Sequence, residues 1–349
     1  MTTTDPSPTP APAGTAGRAG TNGDAAPDTD PAGRAPTAGA TPPGSAPARS
    51  ARRGRPRGGQ RRSGLPYLLV LPATLLFVLF VLAPGLYAVL LSFQSRKVTG
   101  GLLGAGSKVV FVGLDNYRNA LADSELWASL LRMLAVGAIT IPGTVGLALL
   151  FALLLDTARA RLTRITRLAI FLPYAVPGVI ATLLWGFMYL PATSPIGGDH
   201  VNFFGSVSVF FSVANIAIWG AVGFNMIVIY TALRALPPEI YEAARMDGSS
   251  ELQIALRIKV PLVVPAITMC TLFTVLASLQ LFNEPNTLKP LSNAISSTWV
   301  PLMKVYTDAF VNSDIYQAAA TSTLIAVAAL VVSFVAARVV SARVSLEEK

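Results

Sequence analysis

The sequence predicts an all-α, polytopic membrane protein with six transmembrane helices. Composition is the first reason: 52% of the residues are hydrophobic and only 13% charged, too apolar for an ordinary soluble domain. Second, six apolar runs are each long enough to cross a hydrocarbon core, which takes about 20 helical residues. These runs are continuous, without the alternation that a membrane β-barrel requires. Third, lysine and arginine are unevenly shared. With a cytoplasmic N-terminus, 20 of the 27 basic residues fall on the inner side, so both termini are expected to be cytoplasmic.

The elements follow in order. Residues 1–64 carry nine Arg against four Asp in an Ala/Pro/Gly/Thr background, with no aromatic residue before Tyr67. Such a segment has almost nothing to bury and is expected to be a disordered, basic cytoplasmic tail touching anionic membrane lipid. It lacks an apolar core of the signal-peptide kind, and without interleaved aromatics it is not expected to bind nucleic acid. A membrane domain over residues 65–345 follows. Its spans are placed at 66–93, 128–155, 166–190, 208–233, 261–282 and 316–340. The fourth is the least hydrophobic because of Asn215 and Asn225. Pro72, Pro84, Pro142, Pro173 and Pro177 lie in or beside spans, where each removes a backbone donor and permits a kink.

Arg159, Arg161, Arg164 and Arg167 mark one inner loop, Arg234, Arg245, Arg257 and Lys259 a second, and Arg338, Arg343 and Lys349 the inner C-terminus. Arg96, Lys97, Lys108, Arg118, Arg132, Lys289 and Lys304 remain outside.

The second of these inner loops, residues 237–261, is more organised than a connector needs to be. Pro237 and Pro238 suit a helix start, and Glu239 and Glu242 then fall where the helix dipole favours negative charge. Gly248 stands where a helix stops in a left-handed conformation, and Ser250 with Gln253 spells a capping box for a second helix. Ile254 and Ile258 are one turn apart, leaving Glu251, Arg257 and Lys259 to face water, and Pro261 turns the chain into the fifth span.

Glu242-Ala243-Ala244, three residues, Gly248, nine residues, then Ile258-Lys259-Val260-Pro261 resembles the EAA loop of binding-protein-dependent ABC importer permeases. The one departure is Val260 where leucine is usual. Leu65-Pro66-Tyr67 through Leu71-Pro72-Ala73, Phe111-Val112-Gly113-Leu114-Asp115-Asn116-Tyr117 and Phe171-Leu172-Pro173-Tyr174-Ala175-Val176-Pro177-Gly178 extend the likeness to the carbohydrate-uptake group, of the maltose- or glycerol-phosphate-permease type, over about residues 65–340.

The resemblance implies a type I ABC importer permease fold in a bacterial plasma membrane. It implies a second homologous permease subunit, two ATPase subunits that bind ATP and Mg, and an extracellular or lipid-anchored solute-binding protein. Glu242, Ala243, Ala244, Gly248, Ile258 and Pro261 would then form the ATPase-coupling loop. The outer segment Leu281-Phe282-Asn283-Glu284-Pro285 departs from the Gly-Gly-Pro-bearing loop common in the family, so no substrate contact is transferred.

The residues themselves offer Asn225, Gln280, Asn283 and Glu284 as a substrate path, with Gln280 and Asn283 three apart on one helical face. Amides suit hydroxyl-rich ligands, and equally serve as interhelical glue. No enzyme is expected. Cys270 and His200 are isolated, so neither a disulfide nor a metal site is expected. The run Gly101–Lys108 places Ser before Lys, the reverse of a phosphate loop. No ionisable residue stands at the centre of a span, which counts against an ion-coupled carrier. A sugar or oligosaccharide is the preferred solute, with glycerol phosphate, a polyol or a peptide as alternatives.

Overall fold

The computed structural model describes residues 65–99, 106–157, 162–195 and 201–347. The expected basic tail of residues 1–64, Arg159, Arg161, His200 and Lys349 lie outside the described residues.

Helix α1 (Leu68–Ser92) is followed by a ribbon of β1 (Gln94–Thr99) and β2 (Gly106–Phe111). Then come α2 (Asp115–Ala122), α3 (Ser124–Leu155), α4 (Thr163–Phe171) and α5 (Gly178–Tyr189). Helix α6 (Ser208–Arg234) leads into α7 (Glu239–Met246) and α8 (Glu251–Leu262), and α8 into α9 (Val264–Leu279). Two short helices, α10 (Asn283–Leu288) and α11 (Pro301–Tyr306), precede α12 (Ile315–Glu347).

Among the described residues, α1, α3, α6 and the Ile315–Val335 part of α12 are unbroken helices long and apolar enough to span a membrane. The other two expected spans are bent pairs: Thr163–Ala175 meets α5 at 97°, and α8 meets α9 at 68°. Proline chemistry explains the first bend. The turn Leu172–Ala175 tightens to a 3-10 helix, and Val176, which precedes Pro177, is extended with ψ 128. At the second bend Val263 leaves helical geometry at φ −102, ψ 11, and Pro265 in the next turn has no donor to offer. Pro142, by contrast, sits inside α3 without ending it.

The β-ribbon corrects the all-α expectation. Its strands are antiparallel, with Gln94 opposite Phe111 and Thr99 opposite Gly106. Val98, Val109, Val110 and Phe111 are residue types that fit a pleated strand, and a run this short was lost beside the long apolar spans. The ribbon's base is pinned by α2. Asn116 Nδ2 donates to the carbonyls of Ser92 (2.8 Å) and Gln94 (2.7 Å), and the Tyr117 and Ser92 hydroxyls are 2.6 Å apart. The Asn-Tyr pair noted in the sequence therefore fastens the end of α1.

The core is built on α3 against α6. Near one end Ala148 and Ala152 of α3 are fully buried beside Met226, Ile229 and Leu233 of α6, small residues allowing close backbone approach. Towards the other end Val136, Tyr189, Val213, Leu288, Trp299 and Met303 form a second cluster. Asn215, which lowers the hydrophobicity of α6, donates to the Tyr189 hydroxyl at 2.9 Å, and that hydroxyl donates to the Ser212 carbonyl.

Among the described glycines, the tightest surroundings are at Gly223 of α6. A Cβ there would lie 2.3 Å from the Ile170 carbonyl oxygen and 2.7 Å from Phe171 Cα. Gly143 differs: its Cβ would meet only the tip of the Ile218 side chain, at 2.6 Å.

An ion cluster holds the start of α3. Lys304 lies 2.7 Å from Asp123 and 3.1 Å from Asp308, while Arg132 pairs with Glu125 at 2.9 Å and the Thr298 hydroxyl donates to Glu125. Burial alone would raise the Asp123 carboxyl, but hydrogen bonds from Lys304 and from the Glu125 amide outweigh it and hold it low. A carboxylate depressed in the folded state contributes stability above its unfolded value, and that stability is lost as pH falls through the folded one. Lys304→Met strands the buried Asp308 and is expected to destabilise the protein by about 3 kcal/mol at pH 7. Thermal unfolding in detergent should show this deficit shrinking below about pH 4, as Asp123 takes up its proton. A deficit that does not change with pH contradicts the assignment.

Candidate functional site

Helices α7 and α8 form the helix-turn-helix that the local chemistry predicts. Pro238 caps α7, and Glu239 and Glu242 stand exposed in its first turn. The stop is a Schellman motif: Ser249 N–H donates to the Ala244 carbonyl and Gly248 N–H to the Arg245 carbonyl, both at 3.0 Å. Gly248 has φ +82, the left-handed region that glycine occupies without steric penalty. Ser250 and Gln253 then close a reciprocal capping box. An Arg245–Glu251 ion pair of 2.9 Å crosses the corner.

Ala244 turns inward and is buried, whereas Glu242 and Ala243 face out. Met246, Leu252 and Leu256 expose 87%, 69% and 58% of their surface. Three large apolar side chains are thus bared on an otherwise polar hairpin.

Two sequence expectations in α8 are corrected. Lys259 does not face water; it is 5% exposed, and its Nζ lies 2.6 Å from Asp156. The cause is a π-turn at Ala255–Lys259, whose wider spacing places residue 259, rather than 258, below the buried Ile254. Ile258 is left half-buried. Pro261, expected to turn the chain, belongs to the last turn of α8, and the bend comes at Val263.

Within the bundle, α3, the α4–α5 bend, α6, α9 and α10 enclose a cavity of about 590 Å³. This is the size of a small-molecule site. All four expected substrate-path residues, Asn225, Gln280, Asn283 and Glu284, line it. The shared helical face of Gln280 and Asn283 is corrected, however. Helix α9 ends at Leu279, Phe282 breaks the chain at φ −149, ψ −52, and Asn283 opens α10. The chain's fold, and not helical spacing, brings them together.

Asn225 is 4% exposed; its Nδ2 donates to the Ala221 carbonyl at 2.9 Å, and its Oδ1 is buried without a partner. Thr140 Oγ1, also on the cavity wall, is likewise unpartnered. Buried polar atoms left open in this way are unusual and are satisfied by a ligand or by water. Burial raises the Glu284 carboxyl above its ordinary value.

The sequence reading missed the aromatic wall. Tyr174 and Phe224 stack with ring centroids 5.1 Å apart, and Phe273 lines the same space. The Phe171–Gly178 motif contained the first of these, but only the 97° bend shows that Tyr174 faces a cavity.

A family model described as the inner membrane component of binding-protein-dependent transport systems matches residues 144–345. The chain belongs to that family. It is a permease subunit of an ABC importer, an integral protein of the inner membrane. Among its relatives, the trehalose/maltose permease of Thermococcus litoralis is 28% identical over 231 residues, 64% of this chain and 76% of that one. The sn-glycerol-3-phosphate permease of Shigella flexneri is 27% identical over 293 residues, 81% of this chain and 96% of that one. The trehalose permease of Mycobacterium tuberculosis is 26% identical, covering 80% and 89%. A bacterial ABC transporter that imports the acidic polysaccharide alginate shares the permease fold. Its TM-score is 0.69 at 20% identity, over 80% of this chain and 96% of that chain.

Proposed function

We propose that this permease subunit carries a neutral sugar or oligosaccharide across the membrane, driven by ATP hydrolysed on other subunits. The cavity is the observation that carries the reading. An aromatic wall suits the apolar faces of pyranose rings, and Asn225, Gln280 and Asn283 offer donors and acceptors to hydroxyls. Glu284 is the one carboxyl-bearing residue among the described residues on its walls, and none of these is Lys or Arg. A phosphorylated solute such as glycerol phosphate would meet a carboxyl and no counter-charge. The relatives named for trehalose and maltose support the neutral sugar.

In this scheme the membrane domain, residues 65–345, crosses six times, each bent pair counting as one span. Both termini, the 1–64 tail and the hairpin face the cytoplasm, as the distribution of lysine and arginine supports. Glu242 and the bared Ala243, Met246, Leu252 and Leu256 dock on one of two ATPase subunits that hold ATP and Mg. A second, homologous permease completes the pathway, and an external solute-binding protein delivers the sugar. An ion-coupled carrier would need none of these partners.

The test is uptake into proteoliposomes holding the whole complex and its binding protein, with trehalose, maltose and glycerol-3-phosphate as probes. Concentrative, ATP-dependent uptake of a disaccharide is expected; uptake of glycerol-3-phosphate alone contradicts the neutral-sugar reading. Asn225→Leu, close in volume but without the amide, is expected to lower that uptake about tenfold with assembly unchanged. Unchanged uptake would leave Asn225 as interhelical glue.

A further inference from the structure

We propose that Asp156 and Lys259 form a buried clasp that makes the hairpin and α3 move as one body. The hairpin would then pull on two walls of the cavity at once. The inference rests on the hairpin being the site where ATPase movement enters.

The covalent route is plain. Helix α8 runs past the 68° bend into α9, which carries Phe273, Thr274 and Ser278 on the cavity wall. The clasp supplies the second route. Asp156 caps the C-terminal end of α3, and Lys259, 103 residues later, reaches it at 2.6 Å. The two side chains are 4% and 7% exposed. Arg234, at the end of α6, approaches the other carboxylate oxygen at 3.7 Å, and the Tyr241 ring of α7 lies 4.8 Å from the Lys259 ammonium. Helix α3 carries Val136 and Thr140 to the cavity wall, beside α9, where Gly137 packs against Ser278.

Charge burial makes this connection stiff. Leu155, Leu233 and Val263, members of the same apolar cluster, are themselves buried, so a hairpin that moved away from α3 would break the 2.6 Å ion pair, leaving Lys259 without a carboxylate and Asp156 with only the longer Arg234 contact. Sliding past one another is therefore far less favourable than moving together. The π-turn at Ala255–Lys259 supports the assignment, because π-turns inside helices are frequent at functional sites. Without it Lys259 would not reach the buried face.

The experiment uses the assembled complex in proteoliposomes, with Cys270→Ser to remove the native thiol. Asp156→Cys and Lys259→Cys are combined, so that neither charge is left buried alone. Solute moved per ATP hydrolysed is measured before and after bridging with a short bifunctional thiosulfonate. Unbridged, the ratio is expected to fall about tenfold, a common size for coupling between sites. Bridging is expected to restore it. In parallel, Asp156→Lys with Lys259→Asp is expected to recover more of the ratio than either single change. A bridge that stops transport while ATP hydrolysis continues overturns the proposal, because hairpin and α3 must then separate. An unbridged ratio equal to wild type overturns it too. If the unmodified chain recruits no ATPase at all, it is the importer reading that fails.

Discussion

Replacing Gly248 by valine is expected to leave the membrane helices folded and the complex assembled, and to reduce transport about tenfold. The residue sits at φ +82, where a β-branched side chain is strained by about 1–3 kcal/mol. Space is not the issue: a Cβ at this position would meet no atom within 4 Å. The strain would be relieved by opening the Schellman turn, whose two 3.0 Å bonds set the angle between α7 and α8. A lever with a loose elbow dissipates motion without weakening the bundle behind it. The series therefore has a predicted order. Gly248→Asn, which tolerates the left-handed region, should transport best, Gly248→Ala less, and Gly248→Val least. Uptake and ATPase activity measured on matched complexes check it; full transport by an assembled Gly248→Val complex would refute the role.

The second large effect concerns the bundle itself. Gly223→Ala is expected to destabilise the protein by about 3 kcal/mol, at the upper end for overpacking. The added methyl would sit 2.3 Å from a backbone carbonyl oxygen, so no rotamer change can relieve the contact and α4 must move off α6. The adjacent Phe224 stacks on Tyr174, and the same displacement opens the aromatic wall of the cavity. Gly143→Ala is the internal control, because only the flexible end of Ile218 must yield there. Thermal unfolding in detergent should separate the two variants clearly; equal melting temperatures would contradict the packing argument.

What the sequence revealed and what it hid divide along physical lines. The hairpin was legible because every device in it is local. Proline at the start, glycine at the stop, and Ser250 reaching three residues to Gln253 each act within one or two turns. Spans were legible as long apolar runs. Lys259 was misplaced because its burial depends on a π-turn and on a partner 103 residues away, and neither has a period in the sequence. Likewise Asn225, Gln280, Asn283 and Glu284 could be picked as polar residues near membrane segments. That they share one cavity with Tyr174 depends on two bends whose angles no hydropathy pattern encodes.

In the proposed importer, the hairpin is the point of contact with an ATPase on the cytoplasmic side. The most direct measurement places a cysteine at the exposed Ala243, in a Cys270→Ser background, and cross-links it within the assembled importer. An adduct with the ATPase subunit is expected, with protection of the thiol from reagents added to inside-out vesicles until that subunit is stripped away. A thiol labelled only from the outer face of intact cells, or an adduct that never includes an ATPase subunit, would contradict it.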